Sequence, residues 1–349
     1  MTKYWSKALF YRSRKDIAGI VGAFTAVLIM LKVYPLISYL NILKEEASVN
    51  KLGGGWYHWF EKALMVEFEG LIPFVVFGVV ALVISLFRHD RLDTTGDLLG
   101  SLPFTKKQII VTKWLTGALV VIVPFLLVFL LLSLFYGTNS YWITTPYSTI
   151  PFWTLMNLAL ALTIFSFLFM VQTLMGHSTY GGIVGAICIV TPGYLLLAGS
   201  QVLGKLLYSY QNSIVVAMER LAPKTLIWQV LEPGITSESL FTTPVKYYYY
   251  YPNFSLKLVI LLAMISLFFW ISLKAYQANR LEKNGEILMF GFLEPVLIWG
   301  FALCLGLFFP NIFGWSFETN NLLFIIYIIL GMALGYFIAR GAVAMAKDK

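Results

Sequence analysis

Apolar residues fall in eight blocks separated by short polar or charged stretches: 17–36, 71–87, 115–136, 153–174, 180–197, 254–273, 295–310 and 322–339. About 20 helical residues, at 1.5 Å each, cross the ~30 Å hydrocarbon core of a bilayer. The pattern therefore predicts an all-α fold, a polytopic transmembrane helical bundle with about eight transmembrane helices. The seventh block is the shortest and follows directly on Glu294.

An even number of spans puts both termini on one side, and lysines and arginines decide which. With the N-terminus inside, the inner segments hold sixteen of the 25 basic residues. The outer segments hold seven (Lys44, Lys51, Lys62, Lys205, Arg220, Lys224 and Lys246), with Lys32 and Lys257 at span ends. This predicts a multi-pass protein of the cell (plasma) membrane with both termini cytoplasmic. Residues 1–16 are basic and amphipathic: Tyr4, Trp5, Ala8, Leu9 and Arg12 share one helical face, and Lys3, Lys7 and Arg14 another. A helix of that kind lies in the membrane interface. Followed by a spanning block, it reads as a retained signal anchor rather than a cleaved peptide.

Two outer segments are long, 41–70 and 204–253. The second carries Leu206, Leu207, Ile214, Val215 and Leu221 among polar residues, which predicts an amphipathic helix. It closes on Tyr247, Tyr248, Tyr249, Tyr250 and Tyr251, read as an interfacial aromatic belt. Residues 1–349 read as a single membrane domain, with 290–349 forming two additional spans after an inner insertion at 274–289.

The chain is 59% hydrophobic and 12% charged. Its net charge of +8 follows membrane orientation, so no nucleic-acid partner is expected. Cys188 and Cys304 sit in apolar blocks without a CxxC, which points to neither a zinc site nor a disulfide. The three histidines, His58, His89 and His177, are far apart in sequence, so neither a metal site nor catalytic residues are expected on this chain. There is no GxxxxGK[ST] phosphate loop, since Gly204-Lys205 is followed by leucine. Glu67, Glu69 and Glu294 lie at span edges, whereas an ion-coupled carrier needs an ionisable group at depth. Glycines four apart, Gly181 with Gly185 and Gly331 with Gly335, predict close helix packing.

The inner segment 88–114 is not a plain linker. Leu98, Leu99 and Leu102 form a short apolar edge that Asp93 or Thr94 can cap and Pro103 ends. Thr105 with Gln108 is a capping box, so the third helix should start before the membrane. A short helix with an apolar edge is shaped to dock in a groove on another protein.

The run Asp97-Leu98-Leu99-Gly100-Ser101-Leu102-Pro103-Phe104-Thr105-Lys106-Lys107-Gln108-Ile109, followed by Lys113, resembles the coupling loop of ABC-2 type (type V-like) permeases. The likeness extends over roughly the first 290 residues and leaves the last two spans as an elaboration. It is nearest to gram-positive permeases that export amphipathic peptides, such as phenol-soluble modulins, or protect against peptide antibiotics. The resemblance implies that Asp93, Asp97, Leu98, Leu99, Ser101, Leu102, Pro103, Thr105, Lys106 and Lys107 couple to a cytoplasmic ABC ATPase. It implies that residues 1–16 form the connecting helix, touching the ATPase through Tyr4, Trp5, Leu9 and Arg12. The turn Gly176-His177-Ser178-Thr179 is a second candidate contact. The second and fifth spans of two permease copies would line the route, with Phe74, Phe77 and Val80 facing Ile183, Ala186 and Val190. ATP and Mg would then be bound by the partner ATPase and no cofactor by this chain. The other partners would be membrane lipid and a second permease copy, in a homo- or heterodimer. An ion-coupled transporter or channel is the alternative reading.

Overall fold

The computed structural model describes residues 7–48, 59–66, 71–88, 104–207, 210–238, 246–279, 285–313 and 321–347. Its helices are α1 (Lys7–Leu28), α2 (Tyr34–Ser48), α3 (Trp59–Met65), α4 (Leu71–Arg88), α5 (Lys106–Thr138) and α6 (Thr149–Leu174). Then come α7 (Ser178–Leu206), α8 (Ser213–Leu221), a hairpin of β1 (Gly234–Glu238) and β2 (Lys246–Tyr250), α9 (Phe254–Ala278), α10 (Glu294–Phe313) and α11 (Asn321–Lys347). Eight helices among the described residues are long and apolar enough to cross a membrane, and they coincide with the eight apolar blocks. The chain is an all-α polytopic membrane bundle.

The first span departs from expectation. α1 begins at Lys7 and runs as one helix past residue 16 into the first span. A π-helical turn at Ile29–Val33 joins α1 to α2, with the Tyr34 N–H donating to Ile29 O. Its cause is one residue further on: Pro35 has no N–H, and its ring presses on the preceding turn of an uninterrupted helix. The helix then continues to Ser48, beyond the expected end at residue 36.

Two compact units divide the chain. Unit 1 comprises residues 1–86, 107–169 and 230–271. Phe24 of α1 stacks on Phe74 of α4 with ring centroids 5.4 Å apart. A Cβ at Gly78 would come within 2.8 Å of the same Phe24 ring, so only glycine admits this approach. Trp114 of α5 packs on Phe165 of α6 and Phe269 of α9, and its indole N–H donates to Ser166 Oγ at 3.2 Å. Tyr247 to Tyr250 form β2, paired antiparallel with β1 in the register Gly234 to Tyr250. Tyr251 is buried, which pushes its hydroxyl pKa upward against the opposing effect of a hydrogen bond with Asn157, so it remains protonated.

Unit 2 comprises residues 87–106, 170–229 and 272–349. The expected outer amphipathic helix is α8, shorter than predicted because Leu206 belongs to the end of α7. Asn212 caps it, with its side chain accepting from the Ile214 N–H at 3.0 Å. α8 and the turn after it fold back on α7, where Gly193 faces Leu226 and Gly199 faces Met218. α10 and α11 form a tight antiparallel pair. A Cβ at Gly331 would lie 2.7 Å from Leu305 O, and one at Gly335 would lie 2.8 Å from Ala302 Cα. Lipid offers no hydrophobic gain for helix association, so this close van der Waals contact between small residues supplies it.

Candidate functional site

Of the coupling residues, Asp93, Asp97, Leu98, Leu99, Ser101, Leu102 and Pro103 lie outside the described residues, as do Tyr4 and Trp5. Leu9 and Arg12 lie on α1. The described structure begins again at the loop's exit. Thr105 immediately precedes α5 and Gln108 lies in its first turn, as the capping box predicts.

Both ends of the loop are held by buried or tethered lysines. At its base in unit 1, Lys113 of α5 is 7% exposed and donates to Leu86 O at 2.8 Å. That carbonyl is in the last turn of α4, where unpaired C=O groups and the helix dipole favour a cation. The bond ties the second span to the third across a sequence separation of 27.

At its exit in unit 2, Lys106 donates to Asn279 O at 2.7 Å and to Gln277 O at 3.4 Å, at the inner end of α9. Asn279 is 7% exposed, and its amide donates to Thr173 O at 2.9 Å, at the end of α6. The turn that follows, including Gly176 and His177, is zipped to the segment before α10. Met289 N donates to Leu174 O at 3.0 Å, Gly176 N to Ile287 O at 3.1 Å and Gly285 N to Gly176 O at 3.2 Å. Gly285 has φ +98°, a conformation that suits glycine and turns its N–H toward that carbonyl. Gln172 completes the corner by donating to Ser178 O at 2.8 Å and Ser178 Oγ at 2.9 Å. Unit 2 therefore carries a buried polar knot where the ends of α6 and α9 meet the segment before α10.

The route candidates divide by environment. Phe74 is half-buried by its stack on Phe24, and Val80 and Ala186 are half-buried. Phe77 is 74% exposed and, like Ile183 and Val190, presents an apolar side chain outside its own unit's core.

A charged cluster in unit 1 was not anticipated. Lys32, placed by sequence at a span end, lies in the π turn within the first span and is 4% exposed. It donates to Leu64 O at 3.1 Å and lies 5.8 Å from the Trp153 ring centre. Glu61, one helical turn before Leu64 on α3, is equally buried, and its carboxylate accepts from the Tyr249 N–H at 3.2 Å. Trp59 of α3 stacks on Tyr39 at 5.7 Å and donates to Trp142 O at 2.9 Å. Leu64 meets Lys32 and Trp59 meets Tyr39, so α3 runs antiparallel along the first span. Residues 59–65 of the outer segment are thus packed structure. The available signal was a lysine inside a helix that stays apolar on both sides.

Residues 62–222 match the family model described as ABC-2 family transporter protein. The match covers a little under half of the chain, less than the first 290 residues of the sequence resemblance. It takes in the second to fifth spans and the inner loop. No curated protein and no solved structure matches. Together with the eight apolar helices, the match supports an ABC-2 type permease, the membrane component of an ABC transporter.

Proposed function

We propose that this chain is the permease subunit of an ATP-driven exporter in the plasma membrane, with both termini cytoplasmic. It works with a separate ABC ATPase and a second permease copy, and moves an amphipathic peptide outward. The observation that carries the reading is the family match across 62–222, which brackets the inner loop and the spans on either side.

In this mechanism Leu98, Leu99 and Leu102 seat in a groove on the ATPase, flanked by Asp93, Asp97 and Ser101 and by Lys106 and Lys107. ATP and Mg act on the partner, so the permease's own task is to receive a displacement. Pro103 and Thr105 pass it to α5, and the Lys113 bond to Leu86 O makes α4 follow. Access to an apolar route then alternates, with Phe74, Phe77, Val80, Ile183, Ala186 and Val190 as its candidate lining. Tyr4, Trp5, Leu9 and Arg12 form a second ATPase contact. An apolar route without fixed charges suits a cargo that carries its own apolar face. The cargo class follows the sequence resemblance to gram-positive exporters of amphipathic peptides.

The test is uptake of a fluorescent amphipathic peptide into inside-out vesicles containing the permease and its ATPase. ATP-dependent uptake that vanadate abolishes supports the reading. Uptake that needs no ATP and follows an imposed ion gradient supports the second reading, an ion-coupled carrier. That reading is favoured by Lys32 and Glu61, both buried in unit 1.

A further inference from the structure

The inner knot of unit 2 reaches beyond the six-span unit. We infer that Asn279 is a positioning residue that passes the displacement of the inner loop to the seventh and eighth spans. This rests on the coupling reading above and assigns those two spans a part in it.

The connection can be followed bond by bond. Lys106, three residues after Pro103, is held at the end of α9 by Asn279 O and Gln277 O. The Asn279 amide grips Thr173 O at the end of α6. The next residue, Leu174, accepts from Met289 N, and Gly176 exchanges bonds with Ile287 and Gly285. Two residues beyond Met289, a 3₁₀ turn at Gly291–Leu293 opens directly into α10. α10 is locked to α11 through Gly306, Gly331 and Gly335.

Three of these six links join backbone groups to each other, which have no rotamer freedom with which to absorb a movement. Thr173, Met175, Leu288 and Met289 are all buried around them, so the knot is packed as well as bonded. A tie whose only task was to finish α9 would need just a C-terminal glycine or water on its last carbonyls. Here a cation from the loop exit and an amide aimed at a different helix converge on one buried asparagine. Removing the Asn279 amide cuts the path between loop exit and α10 in the middle, on a side chain that bonds α6 and not the loop.

The experiment has two readouts on the full chain. The first is hydrogen exchange of the purified permease in nanodiscs, which needs no ATPase. Asn279→Leu should speed exchange at Gly285 and Met289 about tenfold or more, as expected for a lost buried hydrogen bond. Lys106→Met should do so more weakly, and Lys106→Arg should stay near wild type. The second is the ratio of peptide exported to ATP hydrolysed by the assembled transporter. Asn279→Leu should keep hydrolysis and ATPase association while export falls at least tenfold.

Unchanged exchange in both Asn279→Leu and Lys106→Met overturns the tie. Faster exchange with an unchanged export ratio overturns the transmission role. If no ATPase associates with wild type, the proposed function falls and takes the transmission role with it, whereas the exchange result still decides whether the tie exists.

Discussion

The Lys32 ammonium donates to the Leu64 carbonyl over 3.1 Å, fastening the outer helix α3 to the π turn of the first span. A buried ammonium is tolerated only when its donors are engaged, and α3 has too few turns to hold itself in place. Lys32→Met should therefore destabilise the protein by about 1–3 kcal/mol, the cost of stranding a buried polar group. Lys32→Arg should lose less. Thermal unfolding in detergent measures both, and a melting temperature for Lys32→Met equal to wild type would refute the pinning role.

Packing of the last two spans depends on an absent side chain. Gly335→Leu would press on Ala302 and Leu305, and Gly331→Leu on the Leu305 carbonyl. Each should cost about 1–3 kcal/mol by overpacking. Separately expressed fragments 1–290 and 291–349 do not report on this contact, but melting of the intact chain does. Gly341→Leu, where a Cβ meets nothing, serves as the neutral control.

The native cysteines offer a direct check on unit 2. Tyr194 of α7 donates to Cys304 O of α10 at 3.1 Å, so the helices that carry Cys188 and Cys304 are neighbours. A short bismaleimide should join them within one chain. After cleavage at a protease site inserted between residues 239 and 245, the two fragments should run together on a denaturing gel. Separate fragments would mean that α7 and α10 are not neighbours.

How much of this was legible in the sequence follows from the kind of interaction. Spans were legible because apolar length is a one-dimensional property, and the start of α5 at Lys106 was legible because Thr105 and Gln108 form a local motif. The extension of the first span to Ser48 was missed because Asn41, Lys44, Glu45 and Glu46 end the apolar run without ending the helix. Lysine and glutamate are good helix formers, so polarity was mistaken for a boundary. The β-hairpin was hidden because a run of identical tyrosines shows no alternation to read. The inner knot was invisible for a deeper reason. Its backbone bonds and the Asn279 side-chain bond join segments more than 100 positions apart, and no local pattern along the chain encodes them.

The brace at the base of the inner loop makes a sharper claim about coupling. Lys113→Met removes the bond to Leu86 O while keeping the side chain's length. Its ATPase should still associate, because the loop's apolar edge is untouched. Spin labels on α4 and α5 should show a broader distance distribution than wild type, and a distribution as narrow as wild type would remove Lys113 from the transmission path.

The central claim is that a separate ATPase docks on the loop at Leu98 and Leu99. Co-purification of the tagged chain with the products of its neighbouring genes, wild type against a Leu98→Asp, Leu99→Asp double variant, tests it most directly. The account predicts that a nucleotide-hydrolysing subunit accompanies wild type and is lost, or hydrolyses ATP without export, in the variant. A wild-type chain that brings down no ATPase, together with a variant that inserts and behaves identically, would contradict it.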